Sequence, residues 1–421
     1  MELKRVVVTG LGAITPLGNS VSAYWTGLLN GVSGSGPISR FDTTHFKTTF
    51  ACEVKNYNSE DYFDRKEVRV YDLFAQFAII SAKEAISDAR LIPEQEDLDR
   101  IGVIWGAGIG GIQSFENEVA NFAVGDGKPR FSPFFVPRMI ADLSAGHISI
   151  MYGFRGPNYC TVSACASSNN AFFDAFNYIR LGKANVIVCG GSEAAITPCG
   201  VGGFNAMRAI STRNEEYATA SRPFSKSRDG FVLGEGGGCL IFEELEHALA
   251  RKAPIYVEVA GCGLSADAHH ITAPHPHGLG ATKVMENALE DAGMKPEDID
   301  YINVHGTSTP LGDIAEVKAI KKIFGEHAYR LNVSSTKSMT GHLLGAAGAI
   351  ESVACVKAIQ ENIIPPTINF TEGDEDPEID YGINFTFGKA CKREVRAALS
   401  NTFGFGGHNA SIIFKKWNPG V

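Results

Sequence analysis

No uninterrupted apolar run in this sequence reaches the ~20 residues that a membrane-spanning helix needs. No apolar leader stands at its start either. "MELKRVVVTG" passes directly into β-branched residues, so a secretory signal is not expected. Basic residues are too few for a nucleic-acid surface: 38 Lys and Arg face 47 Asp and Glu, a formal net charge of −9. General nucleic-acid binding needs a basic footprint and is not expected. An acidic partner would have to be met by a local basic patch. The nine cysteines contain no CxxC pair, and most sit in apolar segments such as "VIVCGG" and "ESVACVKAI". This odd, scattered set fits reduced thiols in a cytoplasmic protein better than a disulfide framework. Low-complexity tracts and long linkers are missing too.

A chain of 421 residues exceeds one small core and suits two domains or two fused halves. Short β-branched runs alternate with helical segments throughout. "RVVVTGLG" (5–12), "IGVIWGAG" (101–108) and "ANVIVCGG" (184–191) read as strands. "FAQFAIISAKEAISDA" (74–89) and the stretch after Cys165 read as helices. The second half repeats the style, with strands at 254–265 and 299–306 and helices at 280–293, 313–325 and 349–360. Apolar strands separated by helices imply an α/β architecture with buried, largely parallel sheets. A break near residue 250 divides it into similar halves, 1–250 and 251–421, expected to pack as one rigid body.

Several short motifs point elsewhere and fail. "VVVTGLGAITPLG" lacks the third glycine of a dinucleotide-binding turn, and "GAGIGG" (106–111) departs from its spacing. "SSTK" (334–337) matches S-x-x-K but has no companion S-D-N or K-T-G element. "GGSEA" (190–194) falls short of G-x-S-x-G. The four histidines of "HHITAPHPH" (269–277) read as a solvated loop rather than a metal site.

Cys165 is different. It stands among small residues (Ala164, Ala166, Ser167) just before a helix, where the dipole and free N–H groups would lower a thiol pKa and hold an oxyanion. His305 ends the strand "YINVH", and His342 lies in "STKSMTGHLLGAAGAIES" between Lys337 and Glu351. A lone histidine at a strand end is more often structural. A cysteine and two histidines, all in small-residue loops after strands of matching halves, suit acyl transfer on thioesters.

"TVSACASS", "VHGTSTPLGD", "SSTKSMTGHLLGAAGAIES" and "NTFGFGGHN" resemble, in order and spacing, the active-site blocks of the β-ketoacyl-[acyl carrier protein] synthases. "RVVVTGLGAITPLGN" and "RPF…RDGFVLGEG" are similar to further blocks, so the resemblance spans the chain. "GAGIGG" resembles the elongating synthase II branch, in which Ile109 would line the acyl pocket. Two histidines set the chain apart from the synthase III branch, which uses Cys-His-Asn.

The resemblance implies a thiolase-like fold: two βαβαβαββ halves in a five-layered αβαβα sandwich, as a homodimer. It implies that Cys165 takes an acyl group, with the N–H groups of Cys165 and Phe405 as oxyanion hole and Phe405 as gate. His305 and His342 would then stabilise the enolate formed when a malonyl thioester loses carbon dioxide, giving a 3-oxoacyl product two carbons longer. Lys337 would orient His342, backed by Asp313, Glu316 and Glu351. Thr307 and Thr309 would bind the phosphopantetheine arm of acyl carrier protein, and Lys66, Arg69, Arg130 and Arg208 would dock that acidic carrier. No metal and no further cofactor is implied. A polyketide or polyene ketosynthase would share these residues, a chain-length factor would lack the cysteine, and a short-chain oxidoreductase would need Y-x-x-x-K.

Overall fold

The computed structural model describes residues 3–419. Its strands form where small and β-branched residues run without charge. The first half supplies β1 (Val6–Ile14), β2 (Ile101–Gly106), β3 (Asn158–Thr161), β4 (Val186–Glu193) and β5 (Gly236–Glu244). The second supplies β6 (Val257–Ala266), β7 (Tyr301–Asn303), β8 (Asn332–Ser334), β9 (Ala397–Gly404) and β10 (His408–Lys416). The hydrogen-bonded order is β3-β2-β4-β5-β1 in one half and β8-β7-β9-β10-β6 in the other. Adding five to each label converts the first order into the second. Parallel and antiparallel neighbours correspond as well: β2 runs parallel to β3 and β4 as β7 does to β8 and β9. The duplication suggested by pattern is therefore one of topology.

The connecting helices repeat too. α1 (Leu73–Asp88), α2 (Leu143–Tyr152) and α3 (Ser167–Arg180) alternate with β1 to β4, and α4 (Leu279–Ala292), α5 (Pro310–Phe324) and α6 (Ala347–Glu361) alternate with β6 to β9. Each half thus runs βαβαβαββ. α1 packs on the outer face of β1, β5 and β4, and α4 on that of β6 and β10. Between the sheets lie α3 and α6, in contact with each other and with strands of both halves. Five layers result: helix, sheet, helix, sheet, helix. Helices covered on every side must be apolar all round, and α6 buries twelve of its fifteen residues, Ala347 to Ile359 with Lys357 the exception in that span. The sheets also touch edge to edge, where Val6–Val8 of β1 pair antiparallel with Val257–Val259 of β6.

Most element readings agree with the structure, and the glycine stop at Gly293 is a left-handed C-cap with φ 60°. The sheets, however, are mixed rather than largely parallel, because each half closes with antiparallel strands at β5, β1 and β10, β6. One strand is shorter than its apolar run. β7 ends at Asn303, because the N–H groups of His305 and Gly306 leave the ladder and donate to the Glu316 carboxylate. That early exit frees His305 for the site.

Two turns at equivalent places position the chemistry. Single helical turns, Ala164–Ala166 and Leu344–Ala346, introduce the central helices α3 and α6. Each contains a left-handed residue, Ala164 with φ 50° and Leu344 with φ 48°. The nucleophile candidate lies in the first of these matching turns, and His342 stands two residues ahead of the second.

Candidate active site

Cys165 sits in the first of these turns, directly ahead of α3, and is 6% exposed. Small hydroxyls tie the turn shut: Ser167 Oγ donates to Ala164 O at 2.7 Å and accepts from Ser163 N at 3.0 Å. The expected low thiol pKa is not what the environment gives. Burial pushes the Cys165 thiol up to about 12, outweighing the Lys337 charge and the N–H groups of Phe405 and Cys165, which pull it down. The free enzyme therefore holds a thiol, because desolvation of a thiolate costs more than these groups return. Those same N–H groups both bear on the sulfur, an arrangement that suits the binding of an oxyanion.

His342 Nε2 lies 3.0 Å from Cys165 Sγ, although the two residues are 177 positions apart. The backbone holds the ring in place: His342 N donates to Val232 O at 2.7 Å, and Gly234 N donates to His342 O at 2.9 Å. Leu344 N–H donates to His342 Nδ1 at 3.3 Å. Nδ1 is therefore the acceptor, and the neutral ring carries its proton on Nε2. His305 completes the group. Its ring meets that of His342 edge-on, centroids 5.3 Å apart. The sulfur and one nitrogen of each ring all lie within 4.8 Å of one another. Such a trio has metal-ligand chemistry, but the tautomer set by Leu344 makes His342 Nε2 a hydrogen-bond donor. Burial and the Lys337 charge hold both imidazoles well below their ordinary pKa, so both are neutral at neutral pH.

Lys337 is buried and ion-paired with Glu351. Glu316 receives His305 N at 2.9 Å, Gly306 N at 2.8 Å and Asn401 Nδ2 at 3.2 Å. Burial raises Glu316 and Glu351 to about 7, against the opposing pull of Lys337. Asp313, expected behind Lys337, is not there. It pairs with the buried Arg228 at 3.5 Å and accepts from Phe224 N, so it braces the start of α5 instead.

A cavity of about 570 Å³ opens onto this trio. Ile109, Thr307, Thr309, Phe405 and Arg208 all line it, and the two threonine hydroxyls are 2.9 Å apart. Among the expected docking residues only Arg208 borders the cavity. Lys66 and Arg69 are exposed on the short helix Arg65–Val70, and Arg130 is exposed and ion-paired with Asp126 at 3.1 Å. The histidine-rich loop is mostly exposed, yet Ile271 O accepts from Gly406 N at 2.7 Å, so that loop backs onto the Phe405 turn.

Sequence reading missed three contributors. Phe403 packs on His305 at 5.6 Å and Phe231 on His342 at 5.2 Å. Glu193 is fully buried and accepts from backbone N–H groups of two separate loops. Its signal was a carboxylate closing an otherwise uncharged buried strand.

A buried thiol with two neutral imidazoles, two N–H donors and a largely apolar cavity defines an enzyme that works by thiol-borne acyl transfer. Residues 3–248 and 256–371 match "Beta-ketoacyl synthase, N-terminal domain" and "Beta-ketoacyl synthase, C-terminal domain", and the chain belongs to that family. It is 51% identical over 417 residues, 99% of both chains, to a 3-oxoacyl-[acyl-carrier-protein] synthase 2 of Synechocystis sp.. Identity to the synthase 2 of Staphylococcus aureus (strain COL) is 48% over 415 residues, 98% of this chain and 99% of the other. Among solved structures, a chain from a type II polyketide synthase acyl-carrier protein in complex with its ketosynthase bound to the hexaketide superposes at TM-score 0.89. That match has 34% identity and covers 99% of this chain and 100% of the other. The fold is thiolase-like and the enzyme is an acyltransferase.

Proposed function

We propose that this enzyme elongates acyl chains in fatty acid biosynthesis, condensing an acyl group held on Cys165 with malonyl-[acyl carrier protein]. The observation that carries the reading is the 3.0 Å contact of Cys165 Sγ with a His342 ring whose tautomer is set by Leu344. In the first step Sγ attacks the acyl thioester carbonyl, and the N–H groups of Cys165 and Phe405 take the oxyanion. The carrier thiolate leaves and receives the thiol proton. In the second step a malonyl thioester occupies the cavity, and its carbonyl accepts from His305 and His342. Carbon dioxide leaves, and the electron pair of the broken bond becomes the enolate those donors hold. The carbanion attacks the acyl-Cys165 carbonyl, and the Cys165 thiolate departs and regains a proton. Neutral imidazoles suit this work, since they donate without first being charged.

Lys337 acts as a positioning charge, and Thr307 and Thr309 hydrogen-bond the phosphopantetheine arm. The partner is acyl carrier protein, as it is for the polyketide ketosynthase complex. Arg208 meets it at the cavity rim, with Lys66, Arg69 and Arg130 on the surrounding surface. The chain needs no metal and no further cofactor, and works in the cytoplasm, where its nine free thiols remain reduced. It acts as a homodimer. β3 is the terminal strand of the sheet, and residues 107–142 expose Phe115, Phe122, Phe131 and Phe134. A polyketide role is the weaker reading, with 34% identity to that ketosynthase structure against 51% to the curated synthase.

Acyl thioesters of graded length on acyl carrier protein, with intact-mass detection, test the reading. Wild type is expected to gain one acyl mass and lose it on addition of malonyl carrier, and Cys165→Ala to gain none. No adduct in wild type, or an adduct in Cys165→Ala, overturns it.

A further inference from the structure

We propose that Glu193 is a positioning residue that locks the loop carrying Ile109 to the loop following His342, and so sets across the seam of the two halves which acyl chains the pocket accepts. The inference rests on the acyl-transfer reading of the cavity. Glu193 ends β4 with 0% exposure. Its carboxylate accepts from Gly108 N at 2.8 Å, Ile109 N at 3.1 Å, Gly110 N at 3.1 Å and Gly345 N at 3.1 Å. These four donors fill the roughly four lone-pair sites of a carboxylate. Three come from the turn after β2. The fourth comes from the turn before α6, three residues beyond His342.

Among the described residues no Lys, Arg or His pairs with Glu193. A buried carboxylate without a counter-ion is expensive, and what offsets the cost here is the four backbone N–H groups, which would be left without an acceptor if the carboxylate were removed. Its charge also works against the nucleophile, raising the thiol pKa of Cys165. A carboxylate that hinders thiolate formation and is held only by backbone donors serves the placement of those donors. Ile109 reaches the cavity from between Gly108 and Gly110, so its placement depends on the three N–H groups that Glu193 holds. The fit leaves no slack. A Cβ on Gly108 would stand 2.9 Å from Glu193 Oε2, and one on Gly345 would stand 2.3 Å from Gly108 N. Neither loop can shift alone without breaking a bond to the shared carboxylate.

The test compares wild type, Glu193→Gln and Gly108→Ala. Glu193→Gln replaces one acceptor oxygen with a donor facing N–H groups. Gly108→Ala crowds the same carboxylate from the loop side and carries the test if the first variant does not fold. Rates of Cys165 acylation by hexanoyl and tetradecanoyl carrier thioesters are measured by intact mass, and amide exchange is followed in peptides spanning 106–111 and 343–347. With Ile109 released, the tetradecanoyl-to-hexanoyl ratio is expected to rise about fivefold or more, and both peptides lose protection together. A merely structural carboxylate would slow both thioesters equally. A ratio within about twofold of wild type, or loss of protection in one peptide only, overturns the proposal. The arms are separable: wild type without any adduct refutes the acyl-transfer reading, while the exchange data still decide whether the clamp joins the two loops.

Discussion

Individual side chains in this site owe their properties to burial more than to charge. His305 and His342 have an ordinary pKa of 6.5, yet burial first and Lys337 second hold them neutral well below it. A base depressed in the fold is protonated more readily when unfolded, so acidification below 6.5 costs stability rather than switching the donors on. Glu316 behaves oppositely: its raised pKa of about 7 means that its stabilising share is complete below 4.5 and lost as pH rises through about 7. Protonated Glu316 accepts less well from His305 N and Gly306 N. The decarboxylation rate of malonyl carrier is therefore expected to fall below about pH 7 through Glu316, and Glu316→Gln to flatten that limb. A limb that persists unchanged in Glu316→Gln would assign it to an imidazole. The buried pair Lys337–Glu351 supports a second expectation. Lys337→Met leaves a buried carboxylate and should cost about 3 kcal/mol in urea unfolding, while Lys337→Met with Glu351→Leu should recover most of it. Additive losses would show that the two groups do not act as a pair.

At the scale of elements, the sequence made the strands and helices legible and hid the turns. β4 reads as "VIVCGGSE" and α6 as a helix rich in alanine, valine and isoleucine on most of its surface, so periodicity and composition suffice. Nothing about Ala164 or Leu344 announces a left-handed backbone, since glycine or asparagine is the usual occupant. Those turns are imposed by the sheets and central helices on either side. The meeting of Cys165, His305 and His342 was legible through the family resemblance. The pairing of Asp313 with Arg228 and the role of Glu193 were not, because each depends on contacts made only after the halves close. The hairpin turn from β9 to β10 shows how tightly such contacts fit. A Cβ on Gly404 would lie 2.6 Å from Ser163 O and 3.1 Å from Cys165 N. Gly404→Ala should push the Phe405 turn off the nucleophile and lower acylation by about 10²-fold. Alkylation of Cys165 by iodoacetamide, which needs no oxyanion hole, should change little. Equal loss in both reactions would mean that the substitution buries or displaces the thiol instead.

The whole molecule is a duplicated topology whose working site lies at the junction. The first half gives Cys165, the second gives His305 and His342, and Glu193 of the first half grips Gly345 of the second. Neither half carries the chemistry alone. The same build leaves β3 as an unpaired sheet edge on the strand that leads to Cys165, and an open edge invites another strand. Close by in sequence, Phe115 and Phe131 each stack on Phe135, and Phe122 and Phe131 lie 5.3 Å apart, forming one cluster of partly exposed rings. An apolar cluster of this kind on a folded chain marks a protein interface. A second copy of this chain, related by a two-fold axis, would cover both the edge and the rings. Light scattering of the purified protein should therefore give twice the chain mass of 45.1 kDa. Phe122→Asp with Phe131→Asp places like charges in that surface and should shift the mass toward one chain while circular dichroism stays native. A wild type that runs as a monomer, or a charged variant that remains dimeric, would remove this face as the interface.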